Sequence, residues 1–475
     1  MAVADVHDAR TPAARSAAGK QAREQAGRSS HGSWRPADDR SDPVDVLLDQ
    51  AKGRVAELLP LRYGRMLVSP FSFYRGAAAI MAADLAATPT SGLTVQLCGD
   101  AHLSNFGTFS SPERELVFAI SDFDETLPGP WEWDVKRLAA SVCIAGRDRD
   151  FTGRQVKAAV LGTVAAYREA MNGFAKRGNL DVWYADVEVD RVSRLLREGV
   201  DVKGMRKLER ELDGARRNTS VKAAGKLTET VGGETRFLHK PPLLVPIDQL
   251  LPADDAETAR NNVLGLLAGY RESLPESRRA LLDGYRYVDV ARKVVGVGSV
   301  GLRVWVILLH GRDGNDPLLL QAKEATASVL ERHLPAPAGA GHAERVVEGQ
   351  KLMQTVSDIF LGWHVARGPD GGARGRKRDY YVRQAADGKG AIDVSLLLPG
   401  GLAAYGRLCA WTLARAHARS GDRIAISGYL GGGDAFDDAV AVFADRYADR
   451  NEADYQALRA AVAAGRVQAA SDDPE

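Results

Sequence analysis

The sequence is poor in cysteine and has no excess of either charge. Its three cysteines, Cys98, Cys143 and Cys409, lie far apart, which excludes the paired spacing of a zinc site and the density of a disulfide scaffold. Lysine and arginine total 63 against 62 acidic residues, a formal net charge of +1. The whole chain therefore shows no bias toward nucleic acid or an anionic membrane, and any polyanion site must be local.

Long apolar runs are also missing. No uninterrupted apolar stretch approaches the roughly 18 to 20 residues of a membrane span. The nearest, residues 294–310, contains Arg303 and three glycines. Residues 1–40 lack the apolar core of a secretory signal. We expect a soluble, cytoplasmic protein with no membrane partner and no specific nucleic-acid partner.

A predicted strand at residues 93–97 runs into a polar loop that contains Asp100, His102 and Asn105. Phosphoryl transfer requires a carboxylate that orients the acceptor hydroxyl and takes its proton, and an amide oxygen that helps to hold magnesium. Because Asp100 and Asn105 are five residues apart on one loop, they can face the same site. His102 is also a candidate, although a histidine in such a loop is more often a hydrogen-bonded structural residue than a catalyst.

A second predicted strand, at residues 116–121, ends in Asp122 and Asp124. A carboxylate at a strand end is what a magnesium ion bridging nucleotide phosphates requires, and either aspartate could be the principal ligand. Further along, Asp134 lies at the start of a predicted helix, where its carboxylate can accept backbone N–H bonds. Single loop aspartates commonly cap helices and close turns, so the ordered set is more specific than any member.

These stretches resemble the aminoglycoside phosphotransferase and choline kinase group of the protein-kinase-like superfamily. The group has the pattern His-Gly-Asp-x-His-x-x-Asn, then an Ile-Asp strand end, then Asp-Leu-Ala opening a helix. The matching stretches are residues 98–105, 120–124 and 134–139. Two departures are Cys98 in place of the first histidine and Ser121 as an extra residue before the next aspartate.

The resemblance implies roles for individual residues. Asp100 would be the catalytic base, Asn105 and Asp122 would bind the metal, and Asp134 would brace the catalytic loop. The implied cofactors are ATP and Mg²⁺, and the implied partners are a nucleotide and an unknown acceptor.

A glycine-rich segment, residues 296–301, follows another predicted strand. The spacing alone is a weak indication, because it also occurs in dinucleotide-binding turns. Such a turn must lead into a helix, whereas residues 302–309 form a β-type run. A glycine loop between two strands is the arrangement that covers the ATP phosphates in kinases. The predicted nucleotide-binding residues of this loop are Gly296, Gly298, Ser299 and Gly301.

The next predicted strand, residues 318–324, carries Lys323 after an apolar stretch. This lysine resembles the strand lysine that pairs with the α- and β-phosphates in kinases. The helix that follows offers Glu344 and Glu348 as its partner, and Glu348, which is more nearly central, is the predicted one.

The order of the motifs differs from that of ordinary kinases, in which the glycine loop and lysine precede the catalytic loop. Here they follow it, and a helix at residues 408–419, which resembles the Leu-Ala-x-x-His helix leading into that loop, lies near the C-terminus. We infer a circular permutation that brings residues after 422 close to those before 93. The predicted fold is α+β and protein-kinase-like, with a small antiparallel sheet lobe and a mainly helical lobe.

Composition and motifs divide the chain into four parts. Residues 1–42 contain almost no large apolar residues and are predicted to form a disordered tail. Residues 43–235 would form the helical lobe with the catalytic and metal loops. Residues 236–395 would form the nucleotide-binding lobe, and residues 396–475 would be helices that return to the helical lobe.

Most of the chain after Pro43 also resembles the uncharacterised bacterial family known as domain of unknown function 2252. The stretches that carry this resemblance are residues 62–66, 98–107, 296–301, 320–325, 379–384 and 413–422. The family names no substrate, so the functional inference depends on the site.

We predict an ATP- and Mg²⁺-dependent phosphotransferase that acts on a hydroxyl of an unknown small molecule or protein. Alternatives on the same fold are a nucleotide-binding pseudokinase-type regulator and a nucleotidyl (AMP) transferase, and a further one is a noncatalytic interaction protein. Arg62, Arg65 and Arg75 could bind an anionic substrate or phosphate, or could form ion pairs at helix ends. The sequence gives neither the acceptor nor the oligomeric state.

Overall fold

Helices and small antiparallel sheets make up an α+β fold. The structure is a computed structural model, and it describes residues 11–186, 210, 213–214, 220–336, 339–371, 376–385, 388 and 390–471. The helices are α1 (Pro12–Gln25), α2 (Pro43–Ala51), α3 (Leu59–Met66), α4 (Pro70–Gly76), α5 (Ala78–Ala86), α6 (Trp131–Asp148), α7 (Gly153–Phe174), α8 (Asn179–Trp183), α9 (Ser220–Leu227), α10 (Ile247–Leu250), α11 (Ala253–Glu272), α12 (Glu276–Leu282), α13 (His342–Met353), α14 (Pro399–Ser420), α15 (Arg423–Leu430) and α16 (Ala435–Ala463).

The strands form four antiparallel sheets among the described residues. They are β1 (Thr94–Leu97), β2 (Phe106–Ser110), β3 (Leu116–Ile120), β4 (Leu127–Pro130), β5 (Thr228–Val231), β6 (Glu234–Phe237), β7 (Leu244–Pro246), β8 (Arg286–Lys293), β9 (Val304–His310), β10 (Pro317–Ala325), β11 (Gly362–Arg367), β12 (Lys377–Gln384) and β13 (Gly390–Ala391). The largest sheet has the order β11-β12-β10-β9-β8-β7. We call this sheet, with α9 and α11, the sheet lobe.

The sheet lobe is covered on both faces, which explains why β9 and β10 are buried along their whole length. Successive side chains of a strand point to opposite faces. Accordingly, Trp305 and Ile307 share one core with Tyr270 of α11, whereas Val306 shares the other with Ala223 of α9. The continuous apolar run of β9 is typical of a strand buried on both sides.

The helical lobe is built around α6, α7, α14 and α16, and its centre is α6. All residues of α6 from Trp131 to Gly146 are buried. The Trp131 and Tyr167 rings stack with their centroids 5.6 Å apart, which joins α6 to α7. This burial places the polar residues of α6 in contact with the loops packed against it.

Two short antiparallel strand pairs position the loops that were predicted to carry the catalytic and metal-binding residues. Strand β1 pairs with β4, and β2 pairs with β3 in a register that sets Phe106 opposite Ile120. The register places Asn105 beside Ser121, whose backbone N–H donates to the Asn105 carbonyl over 2.9 Å. The loop before β2 and the loop after β3 are therefore neighbours.

The prediction of a disordered tail is wrong for residues 11–42. Helix α1 packs on α15, and Arg15 donates to both Asp422 oxygens at 2.9 and 2.8 Å. A Cβ on Gly19 would lie 1.8 Å from the Ala425 carbonyl oxygen. The close backbone approach at Gly19 and the contact of Arg15 with Asp422 hold α1 against α15. The helix therefore packs there with few large apolar residues. Residues 1–10 lie outside the described residues.

The predicted boundary at residue 235 also shifts. Helix α9 and strand β6 pack on the large sheet, so the described residues from 220 onward join the sheet lobe, while 187–209 lie outside the described residues. Among the helices of the described chain, none combines the length and apolar character needed to cross a membrane.

Candidate active site

A cavity of about 550 Å³ lies between the two lobes. Its lining combines loops that are distant in the sequence. The lining residues singled out by the motifs or adjacent to them are Asp100, Asn105, Asp122, Asp124, Glu125, Gly298 and Ser299. The structure therefore brings the predicted acidic loops and the glycine loop to one place.

Asp100 is held by a buried arginine of α6. The Arg137 Nε donates to Asp100 Oδ1 over 2.6 Å, and its guanidinium stacks 4.2 Å from the centroid of the Tyr74 ring. Burial raises the pKa of Asp100 to about 6, although Arg137 opposes this shift. Asp100 is therefore mostly a carboxylate at neutral pH, with a proton affinity higher than that of an exposed aspartate.

Asp134 fixes the backbone that carries Asp100. Its two oxygens accept the backbone N–H of Cys98 over 2.8 Å and of Gly99 over 3.0 Å. The His417 Nε2 of α14 lies 3.2 Å from Asp134 Oδ2. Gly99 has φ +82°, and a Cβ there would lie 2.3 Å from the Glu125 carbonyl oxygen, so only glycine fits this turn.

Asn105 and Asp122 face the cavity from adjoining loops. The Asn105 Nδ2 donates to the Asp100 carbonyl over 2.8 Å, which leaves the amide oxygen as an acceptor. The Asp122 side chain is 33% exposed, so its carboxylate is accessible from the cavity. Burial, followed by the neighbouring Asp124, raises the pKa of Asp122.

Lys323 of β10 forms ion pairs with the two aspartates of the second acidic loop. It contacts Asp124, and its Nζ lies 3.9 Å from Asp122 Oδ2. The Tyr381 hydroxyl donates to Asp124 Oδ1 over 2.8 Å. Burial alone would raise the pKa of Asp124, but Lys323 and Tyr381 outweigh it and hold the pKa below its usual value. Lys323 is only 2% exposed, so its charge is committed to this cluster.

The prediction that Glu348 pairs with Lys323 is wrong. Glu348 points to solvent, 60% exposed, and pairs with Lys351 over 3.0 Å. Its place on the outer face of α13 explains the difference, since the inner face carries Arg345, which donates to the Asp124 carbonyl over 2.9 Å. Within the described chain, Glu344 is not an ion-pair partner of Lys323 either.

The glycine loop connects β8 and β9, as predicted. Gly296 and Gly301 have φ +55° and +87° and shape the turn, while Gly298 and Ser299 line the cavity. Arg54 donates to the Gly298 carbonyl over 2.8 Å. No backbone N–H of residues 296–299 has a hydrogen-bond acceptor in the part of the chain that the structure describes. These N–H groups are therefore free to bind an anion.

One protein-family model matches most of the chain. The model described as "uncharacterized protein conserved in bacteria (DUF2252)" matches residues 54–461. The chain belongs to this family. Neither the search of curated proteins nor the search of solved structures found a match. All motif residues of the cavity lie within the matched part of this DUF2252 chain.

His102 is placed beside Asp100 but away from solvent. Its Nε2 lies 3.7 Å from Asp100 Oδ2, and its side chain is 5% exposed. Burial, followed by Arg75 and Arg137, lowers its pKa well below the usual value. His102 is therefore neutral at physiological pH. Since its backbone also shapes the loop, accepting from the Asn105 N–H over 2.8 Å, its contacts are those of a structural residue.

Two further residues at the candidate site of this DUF2252 chain were missed from the sequence: Arg137, which contacts Asp100 from α6, and Glu125, which lines the cavity. Arg137 lies three residues after Asp134 on α6, a spacing that places both on one helix face, and this was an available signal. Glu125 gave no such signal. Burial raises its pKa to about 7, and its Oε2 accepts the Val329 N–H over 2.7 Å.

The side-chain oxygens of the cavity suit a magnesium ion whose remaining ligands come from a bound phosphate and from water. Among the described residues, no group of three or more acidic, histidine or cysteine side chains is arranged to hold a metal. Magnesium at nucleotide sites needs only one or two carboxylates, with phosphate and water oxygens completing its shell. The accessible Asp122 carboxylate and the Asn105 amide oxygen meet that requirement.

Proposed function

We propose that this protein is a kinase-like phosphotransferase that uses ATP and Mg²⁺ to phosphorylate a hydroxyl group. The observation that carries the proposal is the ion pairing of Lys323 with Asp122 and Asp124. The lysine comes from β10, the second strand after the glycine loop, and the aspartates follow the Asp100 loop. In kinases these are the groups that surround the nucleotide phosphates and the magnesium ions.

The sheet lobe supports the nucleotide part of the proposal. Strand β8, the glycine loop, β9, the Lys323 strand β10 and helix α13 follow one another in the order found in kinases. The free N–H groups of the loop would bind phosphate oxygens, and Gly298 allows the backbone to approach them. The two aspartates that pair with Lys323 line the cavity. When the nucleotide binds, Lys323 would give up part of this pairing to bind the phosphates.

The Asp100 loop supports the transfer part. Arg137 holds one oxygen of Asp100, and the carboxylate faces the cavity. Asp100 would orient the acceptor hydroxyl and take its proton as the oxygen attacks the terminal phosphorus. Asn105 and Asp122 would hold magnesium, which when bound neutralises phosphate charge.

The path of the chain supports the inferred permutation. The Ser420 hydroxyl at the end of α14 accepts the Gln96 backbone N–H in β1 over 3.1 Å. The helix that carries His417 thus ends beside the strand that leads into the Asp100 loop, although it follows that loop in the sequence. This proximity supports a kinase-like core whose connection has been cut between α14 and β1.

The proposal is tested with ATP labelled at the γ or the α position, incubated with the protein in cell extract. We expect γ-label on an acceptor or on water, and Asp100→Asn should lower the rate roughly 100- to 10,000-fold by removing the base. Glu348→Gln is the matched control, since this carboxylate lies outside the cavity, and it should leave the rate unchanged.

Other outcomes separate the alternatives. Transfer of the α-label would identify a nucleotidyl transferase. Binding of MgATP without any turnover would favour a pseudokinase-type regulator. An equal rate for wild type and Asp100→Asn would contradict the assigned base.

A further inference from the structure

The Arg75 guanidinium lines the cavity without a partner. Its Nε is buried and has no hydrogen bond, and the described part of the chain gives Arg75 no ion pair. Burial lowers its pKa, and the nearby Asp100 carboxylate opposes that shift. A buried, unpaired charged donor costs free energy, and an anion in the cavity would remove that cost.

Arg75 is held in a fixed position relative to Asp100. It lies in the last turn of α4, directly after Tyr74, whose carbonyl accepts Arg137 Nη2 over 3.0 Å. The Tyr74 hydroxyl donates back to the Arg137 carbonyl over 2.7 Å. Since Arg137 also binds Asp100, one buried arginine sets the positions of both Asp100 and the backbone next to Arg75.

The glycine loop lies close to the backbone of Arg75. The Arg75 carbonyl oxygen is 3.6 Å from the position a Cβ would take on Gly298. Arg75, Gly298 and Asp100 therefore line one cavity, with Arg75 near both the loop and the carboxylate. Under the proposed function, the group that passes between these two features is the phosphoryl group.

The neighbouring arginines are already engaged. Arg54 donates to the carbonyls of Gly298 and Val300 over 2.8 and 2.6 Å, and Arg65 donates to the Gly296 carbonyl over 2.7 Å. Both support the backbone of the glycine loop. They leave Arg75 as the better placed guanidinium for an anion beside Asp100.

We propose that Arg75 binds the terminal phosphoryl group of ATP while it is transferred, an inference that rests on the proposed function. In that step, the bond from the γ-phosphorus to the bridging oxygen breaks, ADP leaves with that oxygen and the electron pair, and a bond to the acceptor oxygen forms. The acceptor proton passes to Asp100. Negative charge stays on the peripheral oxygens of the phosphoryl group, and the guanidinium fork suits such oxygens.

The test compares the affinity for MgADP with the affinity for MgADP plus aluminium fluoride, which mimics the phosphoryl group in transfer. Isothermal titration is carried out on wild type, Arg75→Gln and Arg75→Lys. We expect Arg75→Gln to weaken the aluminium fluoride complex roughly 10- to 100-fold, the value of a charge-assisted bond, and to leave the MgADP affinity unchanged. Arg75→Lys should recover part of the loss, because it keeps the charge without the fork.

Arg312→Gln is the matched control. Arg312 is 82% exposed, pairs with Asp313 and does not line the cavity, so both affinities should stay at the wild-type value. The retained MgADP affinity of Arg75→Gln also shows that the variant is folded. Equal affinities of wild type and Arg75→Gln for the aluminium fluoride complex, or equal losses in both complexes, would overturn the role of Arg75. A wild-type protein that binds no MgADP would overturn the proposed function itself.

Discussion

At the scale of single residues, Asp100 and Asp124 are buried carboxylates, and a cationic partner offsets the cost of burying each of them. Burial raises the pKa of Asp100, and Arg137 opposes the shift. Burial also acts on Asp124, where Lys323 prevails and lowers the pKa. Two aspartates in one cavity thus differ in proton affinity, which suits one for proton transfer and the other for permanent charge.

The pKa of Asp100 predicts a pH dependence. In the proposed role of general base, Asp100 must be ionised, and its pKa of about 6 means that the proton is bound below that pH. We expect kcat/KM for γ-phosphoryl transfer to fall tenfold per pH unit below about pH 6, and to be constant between pH 7 and 8. Initial rates at saturating magnesium measure this. A rate that does not change between pH 5 and 8 would contradict a titrating base.

The sequence allowed the groups of the two acidic loops to be predicted, because they follow a spaced motif at strand ends. Lys323 could be predicted because it follows the glycine loop. Its partner was predicted wrongly, because Glu348 was chosen for its central position in α13, whereas the buried face of that helix carries Val346 and Val347 and leaves Glu348 exposed. The spacing of Arg137 from Asp134 places both on one face of α6, but the partner of Arg137, Asp100, is set by tertiary packing.

At the scale of elements, apolar runs predicted β8, β9 and β10 and the glycine loop between the first two of these strands. Helix α1 was missed because its packing depends on close approach of backbones. A Cβ on Gly428 of α15 would lie 2.3 Å from the Ser16 carbonyl oxygen. Such contacts leave no apolar pattern, so composition suggested disorder where the chain is helical.

The close contact of α1 with α15 predicts a stability effect. Gly19→Ala would place a methyl group against the Ala425 carbonyl, and the two helices would have to separate. We expect the free energy of unfolding to fall by about 1–3 kcal/mol, as for other overpacked sites. Urea denaturation followed by circular dichroism measures it.

Gly27→Ala is the control for that variant. A Cβ on Gly27 has no atom within 4 Å, and its φ of −61° suits any residue. The free energy of unfolding should change by less than about 0.5 kcal/mol. A Gly19→Ala protein as stable as the control would show that α1 does not dock as described.

At the scale of the whole molecule, the site is formed by parts of the chain that meet only after folding. The acidic loops come from the helical lobe, and the glycine loop and Lys323 come from the sheet lobe. The end of α14 lies beside β1, although α14 follows β1 late in the sequence. The sequence alone gives no distance between these parts, so their meeting could be predicted only through the resemblance to a permuted kinase-like fold.

The central claim is that these parts form one MgATP site, and isothermal titration of the full chain with MgATP tests it most directly. Wild type should bind ATP more tightly with magnesium than without it. Asp122→Asn should remove that dependence, weakening MgATP binding roughly tenfold or more, while Glu348→Gln should bind as wild type does. Wild type that does not bind MgATP, or Asp122→Asn with wild-type affinity and magnesium dependence, would contradict the account.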